Sequence, residues 1–542
     1  MAADHDLLDV AIVGGGVSGV YSGWRLLTGS PTKPAVAPKI ALFESSTRVG
    51  GRLLSVVPPG IADTRVELGG MRFPSSHKRV KGLVAHFGLT PDPFPVAEPQ
   101  NLVYIRGQRL RRQELTDATK LPYSLAPDER GSDTLDTGFT ALGATRALRV
   151  IQGSDRPELK DVDWKQIAET GRFDGYRLRD LPMQYVLQRN ISQEAYKFAE
   201  DTSGYDSILH TWNAADGLPW NLADFGASIE YSHVREGYDM LPRMMEEGFV
   251  KAGGVTHLGQ TLVSFDQVEA DGGPAIALRL ADRSGALRTQ LARRLILAMP
   301  RRALELLDRS GAVLAPGNSD VHELIGSVSP IPLFKLAICY PFPWWETLDA
   351  IPGQSDGGKP FQPITQGQSI TDLPLRQCYY WAVDEKTRKA VVLIYDDGRD
   401  LDFWAGLRDR QSPDLFASAG PGDPVSSGWE QHKAPRLMVE EAHRQMLEMH
   451  GVQNRVDIPA PYAAAYRDWG EDPYGGGANF WPLNVDSQTV FQKILQPKPP
   501  VPVYICGEAY SNFQGWVEGP LETADQMLKL HFGLEPPPWI SE

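Results

Sequence analysis

The sequence is poor in cysteine. Its three, Cys339, Cys378 and Cys506, lie far apart along 542 residues. They match no metal-ligand spacing and no disulfide framework, so no metal is expected, and a reducing compartment, the cytoplasm, is. An excess of positive charge is also missing. Lys and Arg number 54 against 68 Asp and Glu, a net charge of -14. With no long basic run either, a nucleic-acid partner is not expected. No apolar run is long enough to cross a bilayer, so no membrane partner is expected. The opening, MAADHDLL, lacks the charged-then-apolar layout of a signal segment. There is no internal repeat, no low-complexity tract, no metal-ligand cluster and no G-x-S-x-G elbow for a nucleophilic serine.

What is present is an ordinary globular composition, 42% apolar and 23% charged, in a chain long enough for two or three domains. Its organising stretch is the beginning. Val10 to Val13 read as a buried parallel strand, followed by Gly14-Gly15-Gly16-Val17-Ser18-Gly19, which fits G-x-G-x-x-G. Val17, Val20, Tyr21, Trp24 and Leu27 then follow helical spacing, with Gly29 as a stop, and Lys39 to Phe43 form a second apolar run ending in Glu44. Each part has a physical task in a dinucleotide site. Gly14 permits the tight turn, Gly16 lets a pyrophosphate approach, and Gly19 lets helix and strand pack closely. The helix N-terminus offers N–H groups to phosphate, and Glu44 can accept from ribose hydroxyls.

Further signals follow in order. Arg48-Val49-Gly50-Gly51-Arg52 suits a loop whose backbone and guanidinium groups meet phosphates, although a glycine turn with solvated arginines has the same composition. In Glu67-Leu68-Gly69-Gly70-Met71-Arg72-Phe73-Pro74, Arg72 stands among apolar residues. A buried arginine needs an anionic partner, from the protein or from a ligand. From about Thr116 to Ala223 the pattern turns helical, near Trp164–Thr170, Leu181–Arg189 and Gln193–Glu200. Met240 to Met245 belong to another helix. Val255 to Phe265, Ala275 to Leu280 and Arg294 to Ala298 read as strands. Leu333 to Tyr340 is a strand with one lysine, Lys335, inside it. Gln377 to Ala382 and Val391 to Tyr395 pair, Ala434 to His450 is an amphipathic helix, and Pro502 to Glu508 is a buried strand leading through Gly515-Trp516 to a last helix. Trp212, Trp220, Phe225, Tyr379, Trp381 and Trp516 are candidates for a pocket wall, and Asp216 or Asp224 for attracting a basic side chain.

The opening fingerprint, Arg48-Val49-Gly50-Gly51-Arg52, Gly69-Gly70-Met71-Arg72 and Gly507-Glu508 with Gly515-Trp516 together resemble the flavin-dependent amine oxidase superfamily, and within it most resemble the L-amino-acid oxidases. The resemblance implies an α/β fold. A Rossmann-like FAD-binding domain (1–74, 236–328, 456–542) would join a mixed-sheet substrate-binding domain (75–115, 224–235, 329–455) and a helical domain (116–223). It implies FAD touching Gly14, Gly16, Gly19, Glu44, Arg52, Gly70, Met71, Arg72, Glu508 and Val517. The loop Ser511 to Trp516 holds no cysteine, so FAD would be bound non-covalently. Arg72 and Tyr395 match residues that bind the substrate carboxylate, Lys335 a lysine that holds a water near the flavin, and Gly515 and Trp516 residues facing the substrate amine and α-carbon.

The implied activity is oxidative deamination of L-amino acids by O2, favouring aromatic and large apolar side chains, in a homodimer or higher homo-oligomer. An amino-acid 2-monooxygenase shares the Gly-Gly-Met-Arg loop, an amine or polyamine oxidase would leave Arg72 without an anion, and a flavoprotein scaffold would leave Lys335 without a use. The family's histidine pocket gate has no equivalent in Thr211 to Asp216.

Overall fold

Val10 to Val13 are central because both faces of their strand are covered. In the computed structural model, β1 (Leu8–Val13) lies between β2 (Ile40–Glu44) and the strand Leu287–Leu297, parallel to both. A nearly unbroken apolar run is what a central parallel strand requires. α1 (Val17–Thr28) follows, with Gly29 as its C-cap. The structure describes residues 7–540 apart from 30–36, 131–137, 154–161, 211, 225–228, 349–354, 357–358, 361, 409–427 and 472. Phe225 and Thr211 therefore lie outside the described residues.

Val255–Leu258 extends the sheet beside β2, and Val503–Ile505 joins Leu287–Leu297 in parallel. The single strand read over Val255 to Phe265 is divided. Gly259, at φ +68°, separates Val255–Leu258 from Thr261–Ala270, which forms an antiparallel ribbon with Gly273–Ala281. The strand read from Arg294 begins at Leu287, because its first half is an exposed ribbon edge whose hydrogen bonds, not burial, define it.

A second seven-stranded sheet runs Ala463–Asp468, Leu333–Tyr340, Ala390–Asp397, Gln377–Val383, Gln368–Thr371, Leu102–Ile105, Gln108–Arg111. It is mixed, with one parallel pair, Gln368–Thr371 beside Leu102–Ile105. Ala463–Asp468 hydrogen-bonds along Phe334–Cys339, whose polar backbone would otherwise lie unpaired on that side. Tyr395 does not end its strand, which continues through buried Asp396 and Asp397. Between the chain segments of this sheet come the helices Gly138–Gln152, Trp164–Thr170, Met183–Gln188, Gln193–Ser203 and Ala214–Asp224, packed around Phe139, Leu187, Phe198 and Trp212.

The end of the chain returns to its start. The helix Glu518–Phe532 packs on α1 and on α2 (Lys78–His86). Tyr21 donates to Asp525 at 2.6 Å, and Arg79 reaches Glu518 at 3.1 Å and Asp525 at 3.0 Å. No helix among the described residues is long and apolar enough to cross a membrane.

Candidate active site

The glycine turn after β1 is fixed by sterics at two positions and left open at a third. Gly14 has φ +107°, and a Cβ there would stand 2.3 Å from the Ala298 carbonyl oxygen. A Cβ on Gly19 would stand 1.9 Å from the Gly14 oxygen, so helix and strand could not meet. At Gly16 the nearest atom to such a Cβ is the Gly51 Cα at 4.0 Å, and no side chain caps the helix there. The first-turn N–H groups thus face an opening, the arrangement that receives phosphate. Glu44 lies beside the turn and accepts from the Gly15 N–H at 2.6 Å and the Ser46 N–H at 2.8 Å. Open glycine, uncapped helix and carboxylate fit the pyrophosphate and ribose of a dinucleotide. Arg48 is placed differently from the phosphate reading of its loop. Its guanidinium donates to the Val49, Leu53 and Gly51 carbonyls and braces the second glycine turn.

Arg52 links the two ends of the chain. It donates to Glu508 at 2.8 Å and to the Gly477 carbonyl at 2.9 Å. The Glu508 carboxylate also accepts from the Asn479 backbone N–H (2.9 Å), Asn479 Nδ2 (2.8 Å) and the Gly515 N–H (2.7 Å). Four donors saturate it. Glu508 therefore sets the turn that presents Gly515 and Trp516. Gly70 is tied to the same frame by its N–H on the Arg52 carbonyl at 3.0 Å. Met71 is buried in the apolar cluster below, and Val517 caps the last helix.

Arg72 is buried, and among the described residues no carboxylate stands within 4 Å of it. Its guanidinium donates to the hydroxyls of Tyr379 at 3.3 Å and Tyr205 at 3.2 Å. Its Cζ lies 4.5 Å from the Tyr231 ring centroid and 5.6 Å from that of Phe94. Burial opposes the charge, and the surrounding tyrosine oxygens restore it. Tyr395 is reached through Tyr205, whose ring it meets edge-on at 5.5 Å. Burial raises the Tyr395 hydroxyl pKa, so it is a neutral donor. Trp516 stacks on Tyr231 at 6.4 Å and meets His77 edge-on at 5.2 Å. Arg72, Tyr395 and Trp516 are thus joined by Tyr205 and Tyr231, which the sequence reading missed. The alternation of Tyr231 and His233 along their strand was an available signal for the second, and nothing local marked the first.

Lys335 stands opposite Tyr395 in the sheet. Its amine donates to the main-chain carbonyls of Glu67 (3.2 Å) and Gly69, the residues that lead to Arg72. Burial pushes this amine down to about 7. Burial also pushes the Glu67 carboxyl up to about 8, against hydrogen bonds from the Tyr238 N–H and Ser55 Oγ.

Other candidates fall elsewhere. Trp212 is core. Trp381 donates to the Arg65 carbonyl at 2.7 Å and packs on Phe94. Asp216 is held by Asn213 and Ser487 and is not open to a basic side chain. The Asp224 side chain lies outside the described residues. Asp206 meets Asp396 and Asp400 from a distant segment of the chain, with Arg376 at 3.1 Å from Asp206.

The family described as flavin containing amine oxidoreductase matches residues 19–419. Achacin of Lissachatina fulica is 24% identical, over 97% of this chain and 93% of its own. Aplysianin-A of Aplysia kurodai is 26% identical, over 97% and 90%. An L-amino-acid oxidase of Bungarus fasciatus is 23% identical, over 95% and 84%. The fold matches that of a putrescine oxidase redesigned in its cofactor binding, with a TM-score of 0.60 over 96% of this chain and 99% of that one, at 15% identity.

Proposed function

This chain belongs to the flavin-containing amine oxidoreductases, and from that premise we propose that it deaminates L-α-amino acids oxidatively to 2-oxo acids, ammonia and hydrogen peroxide. The observation that carries the reading is Arg72, a buried cation with no carboxylate partner among the described residues. A carboxylate-bearing substrate supplies the missing anion, and a bare amine does not.

FAD would be held non-covalently. Gly14, Gly16 and Gly19 with the start of α1 take the pyrophosphate, and Glu44 takes a ribose. Arg52, Gly70, Met71, Glu508 and Val517 shape the far end, and the loop before Trp516 offers no cysteine. When bound, FAD would supply a hydride acceptor for the substrate α-carbon, with O2 as the final electron acceptor.

The chain's own work is positioning. Arg72 forms a bidentate ion pair with the carboxylate, and the Tyr395 hydroxyl adds a hydrogen bond. Gly515, turned outward by Glu508, faces the amine, and Trp516 bounds the α-carbon. Lys335 donates two of its hydrogens to Glu67 and Gly69, keeping the Arg72 loop in place and leaving one for a water. Its lowered pKa lets that amine take up or release a proton near neutrality. Holding the substrate at carboxylate and amine together supplies much of the rate enhancement. The substrate amine must be neutral to give up hydride, so activity rises with pH.

The test is an aerobic panel of L- and D-amino acids and putrescine, with peroxide, ammonia and organic product measured. Peroxide and a 2-oxo acid from L-isomers establish the reading. An amide shorter by one carbon makes the protein a monooxygenase, and turnover of putrescine alone removes Arg72 from substrate binding.

A further inference from the structure

Arg72 donates to two hydroxyls, those of Tyr379 and Tyr205, and both tyrosines are held in turn by buried polar residues of the second sheet. Gln377 is fully buried and stands opposite Tyr395. Its Oε1 accepts from the Tyr379 hydroxyl at 2.7 Å. A phenol has one hydrogen to give. Because Gln377 takes it, the Tyr379 oxygen is left with acceptor positions alone, and these receive Arg72 at 3.3 Å and Gln368 Nε2 at 3.1 Å. Burial raises the Tyr379 pKa, so the hydroxyl keeps its hydrogen.

The same amide reaches the segment of Tyr205. Gln377 Nε2 donates at 2.6 Å to the carbonyl of Gly204, the left-handed cap of the helix Gln193–Ser203. A Cβ on Gly204 would lie 2.8 Å from the Gln377 Cγ, so the helix end rests directly on this side chain. On the other side of Tyr205, the Asp397 carboxylate accepts from the Asp206 N–H at 2.8 Å, the Ser207 N–H at 3.3 Å and the Ser207 hydroxyl. Asp397 lies two residues after Tyr395 in one strand, hence on the same face of the sheet. Tyr205 is thus clamped before and after, with its ring edge-on to Tyr395 at 5.5 Å and its hydroxyl on Arg72.

We propose that Gln377 and Asp397 are positioning residues for substrate recognition: through Tyr379 and Tyr205 they set the direction in which the Arg72 guanidinium meets the substrate carboxylate. The inference rests on the L-amino-acid reading of Arg72 and extends it to groups one step removed from the substrate. A frame of buried hydrogen bonds fixes direction as well as distance, which apolar packing around an arginine does not.

The test measures binding and turnover in the flavin-loaded enzyme. Binding is read from the flavin absorbance on titration with 3-phenylpropionate, which is L-phenylalanine without its amine, and Arg72→Ala is the control that abolishes it. Gln377→Met keeps the length of the side chain and removes both hydrogen bonds. It should weaken 3-phenylpropionate binding and raise KM for L-phenylalanine about tenfold, with kcat within about twofold of wild type. Asp397→Asn turns an N–H toward one of the donors it now accepts from, and should change both about three- to fivefold. In a Tyr205→Phe/Tyr379→Phe background each substitution should add less than about twofold, since the hydroxyls through which it acts are gone. Unchanged affinity in both single variants overturns the proposal. So does a loss that persists in full without the two hydroxyls, which marks general damage to the sheet. Asp397→Asn carries the test by itself where Gln377→Met does not fold. If the variants weaken 3-phenylpropionate binding while wild type oxidises no amino acid, the positioning stands and the assigned reaction falls. A wild type that neither binds 3-phenylpropionate nor oxidises an amino acid overturns both.

Discussion

Arg52 meets Glu508 at 2.8 Å, whereas Arg72, further along the same segment and more deeply buried, meets tyrosine hydroxyls at 3.2 and 3.3 Å and no carboxylate among the described residues. Arg72, the buried one, carries the greater desolvation cost of a guanidinium away from water. At Arg52 the protein answers that charge with its own carboxylate, and the pair joins the start of the chain to its end. At Arg72 the answer comes from tyrosine oxygens and ring faces, which favour the charge but supply no carboxylate among the described residues. The difference separates an arginine that finishes a structure from one that waits for a ligand.

The sharpest way to break this comparison is Arg72→Ala. It should lower kcat/KM for L-amino acids about a thousandfold or more, since truncating one partner of a buried ion pair costs on the order of 3–5 kcal/mol. Flavin content and melting temperature should be unchanged. A loss of both with little loss of activity per bound flavin would make Arg72 the structural arginine.

Arg52→Ala should do the reverse. Glu508 keeps its bonds from Asn479 and Gly515, and Arg52 is partly exposed, so the stability loss should be about 1–2 kcal/mol. Flavin should be retained less well, with activity per bound flavin within about threefold of wild type. Absorbance titration and thermal melts measure both effects.

Glu67 lies between the two arginines, and its protonation sharpens the picture. Burial holds its carboxyl up to about 8. Between the unfolded value near 4.5 and that point, the folded state keeps a proton that the unfolded state releases. Its contribution to stability is therefore fully present at low pH and is lost as pH rises through this window. Chemical denaturation of wild type and Glu67→Gln at pH 5 and pH 8 should show the variant to be less dependent on pH.

The smallest effect should come from Tyr205→Phe. It removes one hydroxyl from Arg72 and leaves the ring against Tyr395, so KM should rise about three- to fivefold, near the ~1 kcal/mol of a single hydrogen bond, with kcat little changed.

Much of this was legible in the chain. The strand, glycines, helix and acid from Leu8 to Glu44 are local in sequence, and their periodicity and turn chemistry need no distant contact. Leu333–Tyr340 was legible for the same reason, since a buried run with one lysine reads as a core strand with a charge to settle. Where that charge went was not legible, because the Glu67 and Gly69 carbonyls reach Lys335 only through the fold. The division at Gly259 was also hidden, since two strands of different sheet direction share one apolar pattern.

The sequence by itself determined the nucleotide-binding opening, the order of the glycine loops and the presence of an arginine that had to find an anion. These depend on neighbours a few residues apart, where backbone sterics and side-chain periodicity act. Only the tertiary structure decided which arginine was already paired, and that tyrosines from three separate segments surround the other. Charge satisfaction is a sum over residues far apart in the chain, and it acquires a value only when the chain has closed on itself.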